Sequence, residues 1–191
     1  MPLDAQAIRA RAPQAVVLAL GADPVIPSVP GIDSPKVFDC VTALTGTQVP
    51  GQRIVVVGGG LVGCETALGY AREGRSVTIV EALPQILSAG IPVPESNEQM
   101  IKDLLAEAGV TIRTGCPLTA VTGDGITVAE GSGETSIPAD AVILAVGFRP
   151  RPSLAASLTG SGMEVYQVGD GSKVGSVMTA VATGYTVGRS L

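Results

Sequence analysis

The chain contains no histidine. That excludes a mechanism built on an imidazole base, and it excludes histidine as a metal ligand. Cysteine is scarce. Cys40, Cys64 and Cys116 lie far apart and form no C-x-x-C pair, so neither a zinc ribbon nor a redox-active dithiol is indicated. No metal site is expected. So few thiols suit a reducing compartment, and a cytoplasmic location is the expectation. Basic residues are outnumbered, 12 Lys and Arg against 17 Asp and Glu, for a formal net charge of −5. This argues against nucleic-acid binding and against docking on an anionic membrane. No apolar run approaches the roughly 20 residues of a membrane span. Met1-Pro2-Leu3-Asp4 lacks the basic and apolar regions of a signal peptide. What is present is a chain of 191 residues, 46% of them hydrophobic. That suffices for one medium domain or two small ones, with a sizeable core.

One stretch organises the rest: Arg53 to Glu81, RIVVVGGGLVGCETALGYAREGRSVTIVE. Ile54 to Val57 are four consecutive β-branched apolar residues, as in a strand buried on both faces. Gly58, Gly60 and Gly63 follow in the G-x-G-x-x-G spacing. In a dinucleotide site the first glycine allows a tight turn, the second lets the backbone approach a pyrophosphate, and the third lets helix pack on strand. From Leu61 the chain reads as helix, closed by Gly74. Its first free N–H groups, at Leu61, Val62 and Gly63, would face the phosphates at the positive end of the helix dipole. Ser76 to Val80 is a second apolar strand. Glu81 ends it about twenty residues after the glycines, where a carboxylate accepts hydrogen bonds from ribose hydroxyls. A lone G-x-G-x-x-G is weak, but here the full strand, turn, helix, strand and acid are in order. The carboxylate of Glu81 repels a 2′-phosphate, and Ala82-Leu83 supply no arginine to bind one, which favours NADH over NADPH. Arg72 and Arg75 read as solvent-exposed charges at the helix end.

Before this unit, Ile8 and its neighbouring alanines suggest a short helix ended by Pro13. Ala15 to Leu20 reads as a buried strand stopping at Gly21, and a proline-rich extended segment follows. Asp39 is a candidate cap for a short helix through Leu44. After Glu81 comes a loop, then a helix in which Ser96 and Gln99 suggest a capping box and Ile101, Leu104, Leu105 and Ala108 share one side. Val110 to Arg113 is a third strand. Leu118–Thr122, Ile126–Glu130 and Thr135–Ile137, separated by glycine turns, predict a three-stranded meander. Asp140 to Val146 is another buried strand, ending at Gly147. Val165 to Val168 is a strand followed by Gly169-Asp170, and Val174 to Ser190 reads as a helix of small residues. Asp170 stands where an acid can cap backbone N–H groups or hold a polyol hydroxyl.

GGGLVGCE resembles the NAD(P)H fingerprint of the two-dinucleotide-binding flavoprotein reductases, and the resemblance covers nearly the whole chain. Leu18–Gly21 and Leu144–Gly147 resemble the A-T-G-type segments at which those proteins cross between domains, although both lack the threonine. VYQVGDG resembles the motif whose glycine-aspartate pair holds the FAD ribityl chain. The wording of PSVPGID, EVYQVGDG and the closing helix is most similar to the NADH:flavin oxidoreductase family, which includes 2-enoate and 2,4-dienoyl-CoA reductases. The resemblance implies an α/β fold: a Rossmann-like NAD(P)-binding domain with a parallel sheet and a β-meander crossover, at residues 51–148. Residues 1–50 and 149–191 are then parts of an FAD-binding domain. Gly58, Gly60, Leu61, Val62 and Gly63 would cradle the pyrophosphate, and Glu81 would hold the adenosine ribose. Glu65 would lie near the nicotinamide carboxamide or pack as an interface acid. Gly147 would line the nicotinamide side. Gly21, Gly169 and Asp170 would belong to the FAD site. No residue is expected as catalytic acid, base or nucleophile, because the cofactors carry that chemistry.

By the same resemblance, hydride passes from NADH to FAD. An FMN barrel and an iron–sulfur cluster belong to an upstream part absent from this sequence, as does the FAD fingerprint. The chain is therefore expected to be a fragment, inactive alone and prone to self-association through an exposed sheet edge. Two alternatives stay open: an ADP-binding scaffold module without hydride transfer, and a fragment of a ferredoxin or disulfide reductase of the same superfamily.

Overall fold

A computed structural model describes residues 3–46 and 48–191. In chain order the elements are α1 (Ala5–Arg11), β1 (Ala15–Leu18), β2 (Ala22–Pro24), β3 (Val37–Asp39), α2 (Cys40–Leu44), β4 (Arg53–Val57), α3 (Leu61–Arg72), β5 (Ser76–Val80), α4 (Glu95–Glu107) and β6 (Thr111–Arg113). Then come β7 (Leu118–Val121), β8 (Gly125–Glu130), β9 (Gly133–Pro138), β10 (Ala141–Leu144), β11 (Phe148–Pro150), α5 (Ala155–Leu158), β12 (Glu164–Gln167), a 3-10 turn at Gly169–Gly171, and α6 (Val177–Ser190). They divide into two compact units, one running up to Asp23 and resuming at Phe148–Leu191, the other Pro24–Gly147.

The second unit is built on a five-stranded sheet in the order β3-β10-β4-β5-β6, with every pairing parallel. Parallel strands are covered on both faces, which is why β4 and β10 are apolar at almost every position. Alternation decides which layer each residue joins. Val55, Val57, Val80, Val142 and Leu144 pack with Val121, Ile126, Val128 and Ile137 of the antiparallel meander β7-β8-β9. Their neighbours Ile54, Val56, Ile79 and Ile143 are equally buried and point to the opposite face, against which α3 lies. Each such side chain contributes about 1.5–3 kcal/mol by leaving water. Polar anchors fix the ends. Asp140 accepts hydrogen bonds from the N–H groups of Gln52 (2.9 Å) and Arg53 (2.8 Å) and from the Arg53 guanidinium. The Arg53 side chain, with those two N–H groups, holds the Asp140 carboxyl well below the usual carboxylate range. Lys36 Nζ donates to the carbonyls of Gly123 (2.5 Å) and Ala139 (3.1 Å), tying the meander to the strand that follows it.

Several sequence expectations change here. Residues 24–50, assigned from sequence to the same domain as residues 1–23, lie in the unit of the glycine turn, because β3 adds to the sheet beside β10. β3, β11 and α5 were not anticipated; elements of three or four residues are too short to show a period. The Ser96–Gln99 capping box does not form. α4 starts at Glu95, so Ser96 lies inside its first turn, where Glu95 and Glu98 supply the favourable negative charge instead. The Asp39 cap does form, its Oδ1 accepting from the Thr42 N–H at 2.9 Å.

In the first unit β1 pairs with β12 in parallel, and β2 with β11. β1 is shorter than the expected Ala15–Leu20 strand and is not fully buried. Only Leu18 is, and Val17 is exposed; among the described residues the strand pairs with β12 alone. α6 begins at Val177, three residues beyond the expected Val174, behind a Ser176–Thr179 capping box, and its Val177, Met178 and Val181 are exposed. Among the described residues no helix is long and apolar enough to cross a membrane.

Candidate functional site

The three glycines of the fingerprint have three different environments. Gly58 follows β4 with φ +109°, and a Cβ there would lie 2.4 Å from the carbonyl oxygen of Ala145. Only glycine permits both that backbone angle and that approach to β10. Gly63 sits in the first turn of α3, where a Cβ would come 1.9 Å from Gly58 O. This is the close helix-to-strand packing. Gly60 differs: a Cβ there meets nothing within 4 Å. It is the N-cap of α3, offers no side-chain cap, and precedes a first turn without an acid. The N–H groups of Leu61, Val62 and Gly63 stand at the positive end of the helix. Leu61 is exposed and Val62 half-buried. An open glycine in front of helix donors fits a diphosphate.

Glu81 directly follows β5 and reaches back to this turn. Its Oε2 accepts from the Gly59 N–H at 2.6 Å and its Oε1 from the Leu83 N–H at 2.8 Å. A carboxylate has about four acceptor positions, so capacity remains for ribose hydroxyls. The loop beyond it closes on the turn as well. Leu87 donates its N–H to Gly59 O at 2.7 Å, with Ile86 and Leu87 both buried. Leu87 does so at φ +60°, a left-handed conformation that costs a non-glycine residue about 1–2 kcal/mol. Gly59, Ile86 and Leu87 escaped the sequence reading. The run of three glycines hinted at the first, but nothing about a leucine announces a left-handed backbone.

The other expected residues fall as follows. Glu65 is exposed on α3, without a hydrogen bond or ion pair among the described residues. Gly147 has φ +106°, space around its α-carbon, and a carbonyl that accepts from the Val25 N–H. Arg75 is not the solvent-exposed charge expected. Its side chain is largely buried, donating to the carbonyls of Val49 (2.5 Å) and Gly51 (3.3 Å) and lying over the Tyr70 ring. It also enters β5 at the end opposite Glu81, a full strand away. Cys64 is fully buried. Burial, with the Glu81 and Glu65 carboxylates nearby, pushes its thiol up to about 12, so it packs as a neutral group.

In the first unit Gly21 and the 3-10 turn come together: a Cβ on Gly171 would lie 3.1 Å from Leu20 N and 3.4 Å from Gly21 N. Gly169 has φ +59° and donates its N–H to Thr183 Oγ1 of α6. Asp170 does not cap α6, whose cap is Ser176. Its Oδ1 accepts from the Gly175 N–H at 3.0 Å, which shapes the loop into that helix. Its second oxygen has no protein donor among the described residues.

Residues 6–184 match the family model described as pyridine nucleotide-disulphide oxidoreductase. The bilirubin reductase of Mediterraneibacter gnavus (strain CC55_001C) is 35% identical to this chain, the match covering 98% of the chain and 29% of the reductase. The NADH oxidase of Thermoanaerobacter brockii is also 35% identical, over 96% of the chain and 29% of the oxidase. Among solved structures, 2-naphthoyl-CoA reductase in complex with 2-naphthoyl-CoA superposes with a TM-score of 0.90 at 28% identity, covering 100% of this chain and 29% of that protein. The chain thus spans under a third of the length of these proteins.

Proposed function

The chain belongs to the pyridine nucleotide-disulphide oxidoreductase family, and from that premise we propose that it is the NADH-binding part of a flavin-dependent oxidoreductase in which hydride passes from NADH to FAD. The observation that carries this reading is Gly60, where an added side chain would meet open space in front of the α3 donors, while at Gly58 and Gly63 packing closes that space. The Leu61, Val62 and Gly63 N–H groups bind the pyrophosphate. Glu81 takes the adenosine ribose and, by its charge, disfavours a 2′-phosphate. Arg75, engaged elsewhere, does not offset that charge. Glu65, exposed on the same helix, and Gly147, at the end of the neighbouring strand, serve the nicotinamide half. On the flavin side Gly21, Gly169 and Asp170 act together, with the second Asp170 oxygen for a ribityl hydroxyl.

When bound, FAD supplies the redox chemistry by accepting the hydride. The residues of this chain bind and orient, and none acts as acid, base or nucleophile. Residues 24–147 are the nucleotide domain, and the first unit is part of a flavin domain completed by the rest of a longer protein. That protein is a reductase of an activated alkene, a reading supported by relatives named as reductases of bilirubin and cinnamate. Its FMN and iron–sulfur cluster lie outside this chain. Cys40, Cys64 and Cys116 are buried apart, and no metal-binding cluster occurs among the described residues. Calorimetric titration with NADH, NADPH and ADP tests the proposal. NADH is expected to bind most tightly. ADP binding as tightly as NADH would favour a scaffold module, and no binding by a chain that melts cooperatively would refute the site.

A further inference from the structure

Gly59 lies between the first two glycines of the fingerprint and is no part of the G-x-G-x-x-G spacing, yet its backbone is bonded on every side. Its N–H goes to Glu81 Oε2 at 2.6 Å. Its carbonyl accepts from the Leu87 N–H at 2.7 Å and from the Cys64 thiol at 3.4 Å. A Cβ on Gly59 would come 2.6 Å from Ile86 Cγ2 and 3.2 Å from the Glu81 side chain. The chain therefore leaves Gly59 at Glu81 and returns to it at Leu87, braced between by the Leu83 N–H on Glu81 Oε1. At the point of return Leu87 takes φ +60° with its side chain buried. A strained conformation held by surrounding contacts is found where geometry matters.

We infer that Leu87 is a positioning residue for nucleotide binding. The strap from Glu81 to Leu87 grips Gly59 from both sides. It holds Gly60 and the first turn of α3 in a fixed array, and it makes the acid and the glycine turn one body. This rests on the nucleotide-binding reading proposed above. It separates two effects. A selector such as Glu81 changes the ratio of NADH to NADPH affinity. A positioning residue changes the affinity of every ligand that shares the diphosphate, by one common factor.

The test is calorimetric titration of the full chain with NADH, NADPH and ADP, well below the melting midpoint, for the wild type, Leu87→Pro and Leu87→Gly. Proline removes the N–H and cannot take a positive φ. Glycine keeps the donor and suits the angle. Leu87→Pro is expected to weaken all three ligands together by about tenfold, as loss of a hydrogen bond to the turn implies, with the NADH to NADPH ratio unchanged. Leu87→Gly is expected to recover most of that loss. Unchanged affinities in Leu87→Pro, a shifted ratio, or a glycine variant as weak as the proline one would each overturn the inference. Should Leu87→Pro fail to fold, amide hydrogen exchange of the wild type decides. Saturating NADH is expected to slow exchange at Leu87 in step with Gly59, and an unaffected Leu87 amide overturns the inference. A wild-type chain that binds none of the three ligands removes the nucleotide reading and this inference with it. Binding by the wild type with an indifferent Leu87 removes the inference alone.

Discussion

Adding a single methyl group at Gly60 or at Gly63 separates folding from binding. At Gly60 the added Cβ meets no protein atom within 4 Å, and the backbone, at φ −70° and ψ −179°, suits alanine. Gly60→Ala gains about 0.4–1 kcal/mol by restricting the unfolded chain. It loses a few tenths to about 1 kcal/mol because alanine is a poorer N-cap than glycine. The two nearly cancel, and the melting midpoint is expected to stay within about 3 °C of wild type, given roughly 2–4 °C per kcal/mol for a chain of this size. The methyl group would, however, occupy the space through which a diphosphate approaches the α3 donors. NADH affinity is expected to fall by at least about tenfold, equivalent to about 1.4 kcal/mol. Gly63→Ala does the reverse at the start. Its Cβ would lie 1.9 Å from Gly58 O, so helix and strand must part. Overpacking of this kind costs about 1–3 kcal/mol, and the melting midpoint should drop by several degrees. The assay is a thermal melt and an NADH titration on both variants. Wild-type NADH affinity in Gly60→Ala would refute the placement of the pyrophosphate. A Gly60→Ala melt as depressed as that of Gly63→Ala would refute the geometry of the turn.

Glu81→Ala should weaken NADH more than NADPH and bring the two affinities together. It should also lower stability by about 1 kcal/mol, because the Gly59 and Leu83 N–H groups lose their acceptor; an unchanged affinity ratio in titration would count against the selector role. Asp140→Asn should destabilise the chain at neutral pH. The folded-state carboxyl of Asp140 titrates below its ordinary 3.8, so its contribution is complete above that value and is lost as the pH falls toward the folded pKa. Urea melts of wild type and variant should therefore converge below about pH 4, and a constant gap there would contradict the argument. Cys64, buried with its thiol pushed up to about 12, should resist a thiol-specific reagent at pH 8 until denaturant is added; mass spectrometry showing prompt labelling in the native chain would place it at the surface.

The unit around the glycine turn was legible because its signals are local. Four β-branched residues, a glycine spacing, a helical stretch and a terminal acid all act within one strand-turn-helix-strand, where periods of two and 3.6 residues apply directly. The meander was legible for the same reason, since Gly123-Asp124-Gly125 and Gly131-Ser132-Gly133 bound hairpins whose partners are sequence neighbours. What depends on distant pairing was not. β3 joins the sheet through β10, more than a hundred residues later, and that pairing carries the segment from Pro24 into the unit of the glycine turn. Likewise Arg75 looks like a free charge until the Val49 carbonyl and the Tyr70 ring come to meet it.

By itself, then, the sequence determined the G-x-G-x-x-G spacing after an apolar strand, and the acid that ends the next strand. Tertiary structure decided how the glycine turn is held. Glu81 spends two hydrogen bonds on the backbone of its own site, and Leu87 accepts a left-handed conformation to reach Gly59. The physical reason is that a residue's type sets which conformations and bonds are cheap, while only the closing of a loop on a distant turn decides which costly one is worth adopting.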